Sequence, residues 1–244
     1  MINKIILSPP FSNIYPNIKN TTRITGTYTL DKRPGLYRVI TTLKKVENGW
    51  INNVGLRNPG IGKFNKNNTI ISVSIQNYKE WYDFYNILKD KNKIYNIKGI
   101  EFNISCPNHN VSNVNSSIIK EAKELFNNTI IKIPHDIDFK EIEKILDLEA
   151  DIIHVSNTKK VNSGGLSGKS LVNKNIENIK FIKSESDTNV IAGGGIYDFE
   201  TFKKYYNIDA DYFSLSTSLL NPLKSFRLIN QMSQYLKLNQ NHIS

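Results

Sequence analysis

The chain has 244 residues, 39% hydrophobic and 22% charged, with 32 Lys+Arg against 22 Asp+Glu and a formal net charge of +10. This balance fits a folded chain long enough to bury a core and excludes an intrinsically disordered one. The single cysteine, Cys106, excludes an internal disulfide framework and any multi-cysteine zinc or iron–sulfur site, and no apolar run reaches the roughly 18 to 20 residues of a membrane span. The positive surplus favours anionic ligands or nucleic acid; solvated lysine in Lys-Asn-rich stretches such as 89–98 is the plain alternative. Residues 1–14 carry one lysine and only a short Ile5-Ile6-Leu7 run before Pro9-Pro10, so neither a secretory nor a transit signal is visible and a cytoplasmic location is expected.

In chain order, short β-branched runs predict strands over 4–9, 22–29, 69–75, 97–105, 129–133, 150–155, 188–192 and 209–215. Helical stripes lie between several of them. Trp81, Phe84, Tyr85 and Leu88 fall at i, i+3, i+4 and i+7, and Phe226, Ile229, Met232 and Leu236 give a similar face to the last helix, with Asn221-Pro222 as its N-cap and first position. Eight strands alternating with helices predict an α/β fold of the (β/α)8 TIM-barrel type, because each parallel pair needs a crossover long enough to hold a helix. Nothing divides the chain, so 1–244 is expected to form a single barrel domain. Its one long interruption, 30–68, contains the runs 37–45 and 50–54 around Glu47-Asn48-Gly49, a hairpin insertion near 37–54.

In such a barrel the chemistry sits at the C-terminal ends of the strands. The fourth ends in Asn103-Ile104-Ser105-Cys106-Pro107-Asn108, the fifth holds Lys132, and the sixth ends in Ser156-Asn157-Thr158. The seventh ends in Gly193-Gly194-Gly195 and the eighth in Ser216-Thr217-Ser218. Asn103 and Ser105, two apart, share one side of their strand. Cys106 is then lifted toward the loop, where a thiol can act as base or nucleophile; a small buried core residue is the other reading. Lys132 stands between isoleucines, and a buried ammonium is costly unless it meets an anion, a carbonyl-rich ligand or an acidic side chain of the barrel.

The triple glycine, with Asp198 as candidate N-cap after it, suits either a phosphate or a tight turn. A second glycine segment, Gly164-Gly165-Leu166-Ser167-Gly168-Lys169-Ser170, follows no strand directly in this reading and lacks the first-glycine spacing of a P-loop, so an NTPase is rejected. The four histidines, 109, 135, 154 and 242, show no metal spacing and read as surface or core residues.

At Asn103-Ile104-Ser105-Cys106-Pro107-Asn108 the sequence resembles the dihydroorotate dehydrogenase family, in the class that uses a cysteine base. The resemblance continues in the family's order through 25–35, 52–60 (Asn-Asn-Val-Gly-Leu-Arg-Asn-Pro-Gly), Ile131-Lys132-Ile133-Pro134, Ser156-Asn157-Thr158, Gly-Gly-Leu-Ser-Gly at 164–168, 193–196 and Ser216-Thr217. It implies an FMN enzyme of pyrimidine biosynthesis, with a dihydropyrimidine stacked on the flavin, Cys106 taking the C5 proton and hydride leaving C6, so that dihydroorotate becomes orotate.

On that resemblance Ser105 is a polar neighbour of the base, Asn52, Asn103, Asn108 and Asn157 grip the substrate, and the backbone at Gly55 and Leu56 holds its carboxylate. Lys132 meets the flavin ring, Gly194, Gly195, Ser216 and Thr217 cradle its phosphate, and Thr158 and Gly165 join the cofactor group. No metal is implied. The family often forms homodimers; its electron acceptor is fumarate in stand-alone members or NAD through a separate subunit.

The departures are Gly26 where the family has a lysine, with Lys32 or Arg23 as replacement cations, Ser8-Pro9-Pro10 in place of a small-residue turn, and no glycine after Cys106. No extension for membrane-borne quinone is evident. Two other readings stand beside this one. A catalytically weakened homologue would bind flavin or a pyrimidine. A flavin-dependent reductase of uridine in RNA would suit the charge, although the free-pyrimidine asparagines argue against nucleic acid as partner.

Overall fold

The computed structural model describes residues 1–35, 42–47, 49–53, 55–104, 113–155 and 158–240. Among these, strands numbered in chain order form two sheets. Eight parallel strands close a barrel: β1 (Ile5–Leu7), β2 (Thr21–Tyr28), β5 (Ile70–Val73), β6 (Gly99–Asn103), β7 (Thr129–Ile133), β8 (Ile152–Val155), β11 (Asn189–Ala192) and β12 (Tyr212–Leu215). Their order around the barrel is β1-β12-β11-β8-β7-β6-β5-β2, with β2 returning to β1. All eight predicted strands are present, mostly trimmed at their ends, and the (β/α)8 expectation holds.

The second sheet is antiparallel, β3-β4-β10-β9, made of β3 (Lys44–Val46), β4 (Gly49–Asn52), β9 (Lys159–Val161) and β10 (Gly164–Gly168). The β3–β4 hairpin was expected, although residues 36–41, most of its anticipated first arm, lie outside the described residues. The glycine segment at 164–168 is corrected: it is itself a strand, and β9 precedes it. Its glycines mark close backbone approach. A Cβ on Gly164 would overlap the Asn52 carbonyl oxygen and one on Gly165 the Thr158 hydroxyl. The two hairpins follow the C-terminal ends of β2 and β8, so this sheet is built from the rim of the barrel.

Six helices follow in order: α1 (Glu80–Tyr95), α2 (Ser116–Leu125), α3 (Phe139–Leu146), α4 (Val172–Glu185), α5 (Phe199–Tyr206) and α6 (Pro222–Gln240), among the described residues. Side-chain caps start three of them, with Asn115, Asp138 and Asp198 accepting from the N–H groups of Ile118, Glu141 and Thr201 at 3.0, 2.8 and 2.8 Å. On α6 the Asn221 side chain accepts from Lys224 N–H at 3.2 Å, as its sequence suggested. Trp81, Phe84 and Leu88 of α1 are buried as expected. Phe226 is not: it is 41% exposed, beside Tyr15 with ring centroids 6.5 Å apart, because the buried face of α6 runs through Leu228, Ile229, Met232 and Leu236.

Strand alternation sorts the barrel walls. Ile100, Phe102, Ile131, Ile133, Ile153 and Val155 pack outward against the helices. Inside, Ile6, Ile24, Ile70, Ile130, Ile152 and Ile191 fill the lower half with an apolar plug. Toward the C-terminal ends the interior turns polar. Ser8 and Ser214 hydroxyls lie 2.6 Å apart, Thr27 and Ser72 hydroxyls 3.0 Å apart, and Asn103 Nδ2 donates to Thr27 Oγ1 at 2.9 Å. Glu101 and His154, both fully buried, meet at 2.6 Å between Oε2 and Nδ1.

Burial lowers the His154 pKa by more than Glu101 raises it, so the ring is neutral, with the Nδ1 proton donated to the carboxylate. Burial pushes the Glu101 carboxyl up, but His154, Lys132 and the Ser72 hydroxyl together take it below its ordinary value.

These directions give a pH dependence. A group whose folded pKa is depressed contributes stability that is whole above its unfolded pKa and lost as pH falls through the folded value. For His154 the window opens below 6.5, and for Glu101 it opens below 4.5. The unfolding temperature is therefore expected to fall on going from about pH 7 to about pH 5, and His154→Gln to flatten that slope. Parallel slopes in parent and variant, measured by calorimetry, would show that the buried ring is not held neutral.

Candidate active site

Three adjacent strands place Asn103, Lys132 and His154 side by side: Asn103 pairs with Lys132 and Lys132 with His154 in the barrel register. All three project inward, opposite the outward isoleucines and valine of the same strands. Lys132 is 8% exposed. Burial pulls its ammonium below the ordinary lysine pKa, and the Glu101 carboxylate opposes that fall. Glu101 is thus an electrostatic neighbour, but among the described residues no acceptor lies within hydrogen-bonding or ion-pair distance of Lys132 Nζ. The hydrogen bond of Glu101 is made instead to the neutral His154 ring. An ammonium so placed is suited to a carbonyl-rich or anionic group entering from the rim.

The rim beside it supplies further donors. Gly193 N–H donates to the Val155 carbonyl at 3.0 Å, closing the end of the β8–β11 pair. Gly194 and Gly195 follow in the left-handed region, with φ of 75° and 81°. Side chains there would collide with Asn175 and Val172 respectively. Tyr205 Oη donates to the Gly194 carbonyl at 2.8 Å, and Asn175 Nδ2 to the Gly193 carbonyl at 2.8 Å. The carbonyls are therefore held from behind, while among the described residues neither the Gly194 nor the Gly195 N–H has an acceptor.

Ser216 and Thr217 begin the next turn, with Thr217–Leu220 a short 3-10 helix. The Ser216 hydroxyl donates to the Pro9 carbonyl at 2.8 Å, so its proton is committed to the protein rather than to a ligand. This also gives Pro9-Pro10 a role in fixing that turn.

Asn52, Thr158 and Gly165 come together in the rim sheet. Asn52 pairs with Gly165 across β4 and β10, and Thr158 packs against the Cα of Gly165. Gly55 has φ of 67°, and the Leu56 carbonyl accepts from Asn58 Nδ2 at 2.7 Å. Four sequence candidates, Ser105, Cys106, Asn108 and Asn157, lie outside the described residues. The chain leading to the first three leaves the barrel beside Lys132, where Ile104 N–H donates to the Lys132 carbonyl at 3.3 Å.

Sequence reasoning missed Glu101, Tyr197 and the pairing of His154. The Tyr197 hydroxyl is buried beside Thr217 and Ser167 without a hydrogen-bond partner among the described residues, and burial raises its pKa. Its signal was position alone, two residues after the glycine triplet. Among the described residues no group of three or more His, Cys, Asp or Glu side chains is placed to hold a metal, and no helix is long and apolar enough to cross a membrane.

No family model matches the chain. It is 25% identical over 245 residues to the catalytic subunit of dihydroorotate dehydrogenase B (NAD(+)) from Brachyspira hyodysenteriae, covering 86% of this chain and 80% of that protein. It is 26% identical over 222 residues to the subunit of the same name from Saccharolobus solfataricus, covering 81% and 74%. The Thermotoga maritima subunit is 26% identical over 216 residues, covering 76% and 77%. Among solved structures, DHODH from Eimeria tenella in complex with ferulenol superposes with a TM-score of 0.63 at 17% identity over 91% of this chain and 76% of that one, a likeness of fold. Curated relatives of one name thus match most of its length at 25–26% identity, and a solved structure named for the same activity shares its fold, so the chain is similar to the dihydroorotate dehydrogenases in sequence and in its (β/α)8 barrel.

Proposed function

We propose that the protein is an FMN-dependent oxidoreductase that converts dihydroorotate to orotate with Cys106 as base. The observation that carries the reading is the Lys132 ammonium, buried beside a polar rim with no hydrogen-bond partner among the described residues. The donor set suits FMN: N–H groups of Gly194 and Gly195 and the Tyr197 hydroxyl, all without partners among the described residues, and the first turn at Thr217 for a phosphate, and Lys132 for the carbonyl-rich ring. FMN bound there would supply the acceptor for the hydride leaving C6 of the substrate.

The chain's own residues would do the rest. Cys106, as thiolate, accepts the C5 proton, with Ser105 as its polar neighbour. Asn52, Asn103, Asn108 and Asn157 hold the ring through amide hydrogen bonds, and the N–H groups at Gly55 and Leu56 receive the carboxylate. Thr158 and Gly165, packed together beside Asn52, belong to the cofactor-binding group. The relatives are named as catalytic subunits of NAD(+) enzymes, which supports NAD, reached through a separate electron-transfer subunit, over fumarate as final acceptor.

Gly26 supports a second reading, a homologue that binds flavin or a pyrimidine without turnover. It stands where the family has a lysine, and the backbone here leaves no room for one: φ is 125° and a Cβ would overlap the Ser72 carbonyl oxygen. Asn13 fixes that backbone from outside, accepting from Gly26 N–H at 2.9 Å and donating to its carbonyl at 2.6 Å. Of the two replacement cations anticipated, Arg23 donates to the Tyr15 carbonyl at 2.7 Å and is committed there, whereas Lys32 lines a cavity that Gly26 borders.

Anaerobic addition of dihydroorotate to the purified flavoprotein is expected to bleach the flavin, at a rate that rises with pH toward the ordinary thiol pKa of about 8.5. Cys106→Ala is expected to keep FMN and lose bleaching; bleaching at the parental rate would overturn the base assignment, and flavin that never bleaches in the parent favours the second reading. Lys132→Met is expected to weaken FMN about tenfold or more in a fluorescence titration, the order of one hydrogen bond to a charged group. Gly26→Lys is expected to destabilise the fold by about 2 kcal/mol or more rather than restore a family contact. A raised melting temperature together with tighter dihydroorotate binding would contradict it.

A further inference from the structure

Beside β2, and lined in part by Gly26 and by Lys32, the replacement cation anticipated there, lies a cavity of about 560 Å³, within the range of about 300–1,000 Å³ typical of small-molecule sites. Gly26, Tyr28 and Asn58 form part of its wall, and Lys32, Arg33, Arg57 and Lys66 add four cationic residues to its lining. None of the four makes an ion pair or side-chain hydrogen bond among the described residues. No carboxylate lines the cavity among the described residues. Elsewhere lysines find local partners, such as Lys93 with Asp90 at 3.0 Å, Lys144 with Glu141 at 2.6 Å and Lys183 with Asp211 at 2.6 Å.

The cations are carried on a fixed frame rather than on loose loops. Arg33 and Asn58 exchange backbone hydrogen bonds of 2.9 and 3.1 Å. The buried Asn58 side chain then makes four more: Oδ1 accepts from Thr29 N–H at 3.1 Å and Gly60 N–H at 2.8 Å, while Nδ2 donates to Thr29 Oγ1 at 2.8 Å and the Leu56 carbonyl at 2.7 Å. This one amide ties 29–33 to 56–60 and sets Arg33 and Arg57 on facing segments. Four like charges on one concave wall repel each other and focus a positive potential into it. Two guanidinium forks among them match the oxygens of a phosphate better than point charges alone would.

We propose that this cavity binds a small phosphorylated metabolite of mononucleotide size carrying at least two negative charges. The proposal does not rest on the flavin reading: in the barrel order β2 is separated by β1 and β12 from β11, whose end carries the Gly194–Gly195 donors. A nucleic-acid chain is the weaker occupant, because the hollow is of small-molecule size.

The test is isothermal titration calorimetry on the full chain, with its FMN if it carries any, using inorganic pyrophosphate, uridine monophosphate, succinate and a short single-stranded RNA as probes. Pyrophosphate or the nucleotide is expected to bind saturably with Kd below about 1 mM, and more weakly as salt rises from about 50 to about 200 mM. Arg57→Ala with Lys66→Ala is expected to weaken that binding about tenfold or more, with FMN content unchanged. Lys32→Gln with Lys66→Gln serves as a second pair should the first unfold, and Lys144→Ala, on the far-side helix α3, is expected to change nothing. The proposal is overturned by no saturable binding of either phosphate probe, by succinate binding equally well, by tight binding of RNA alone, by an equal loss in Lys144→Ala, or by displacement of the probe on adding FMN, which would move it to the flavin cradle.

Discussion

A lysine ammonium brought to the inside of a closed barrel without a hydrogen-bond acceptor constrains everything around it. Burying an uncompensated charge is costly, and at Lys132 the compensation inside the protein is electrostatic only, from Glu101. Glu101 is itself held by His154, through a contact that fixes the ring tautomer and leaves Nε2 buried without a partner. The result is a polar upper half resting on an isoleucine plug. The plug seals the bottom and directs the remaining hydrogen-bonding capacity of the interior toward the rim. There, glycines, a tyrosine hydroxyl and the start of a short helix leave donors open, and the two hairpins of the rim sheet bring Asn52, Thr158 and Gly165 together.

Much of this was legible in sequence because it was local. The strands announced themselves as β-branched runs, and Lys132 stood out as a charge among isoleucines. The helix caps at Asp198 and Asn221 followed from residue type and place. What escaped depended on closure. In Gly99-Ile100-Glu101-Phe102-Asn103 the alternation of apolar and polar residues looks like a strand with one face in water; only when the sheet curls shut does the polar face become the interior. His154 carried no spacing signal for the same reason, since its partner is on β6, two strands away. The strand at 164–168 was hidden by its glycines, whose meaning is the close approach of β4 and of Thr158 rather than a turn. Phe226 fell on the expected stripe, but the buried face of α6 is centred nearer Leu228, so the ring is left at the edge.

The site is less complete in another sense. Its thiol and three of its asparagine and serine candidates rest on resemblance to the family alone, whereas the lysine, the glycine pair and the rim sheet rest on geometry as well. The departure at Gly26 is explained by that geometry. The backbone at 26 is pressed against β5 and clasped by Asn13, so the family's cation has no space on the strand, and the positive charge nearby is carried instead by residues of the flanking loops.

The central claim is that Lys132 awaits a ligand. Nitrogen-15 NMR of the lysine side chains, with Lys132→Met used to assign the signal, reports the ionisation of that amine directly. The account requires a pKa below the ordinary lysine value of about 10.4 in the FMN-free protein and a rise when FMN is added. An ordinary value that stays the same with and without FMN would contradict it.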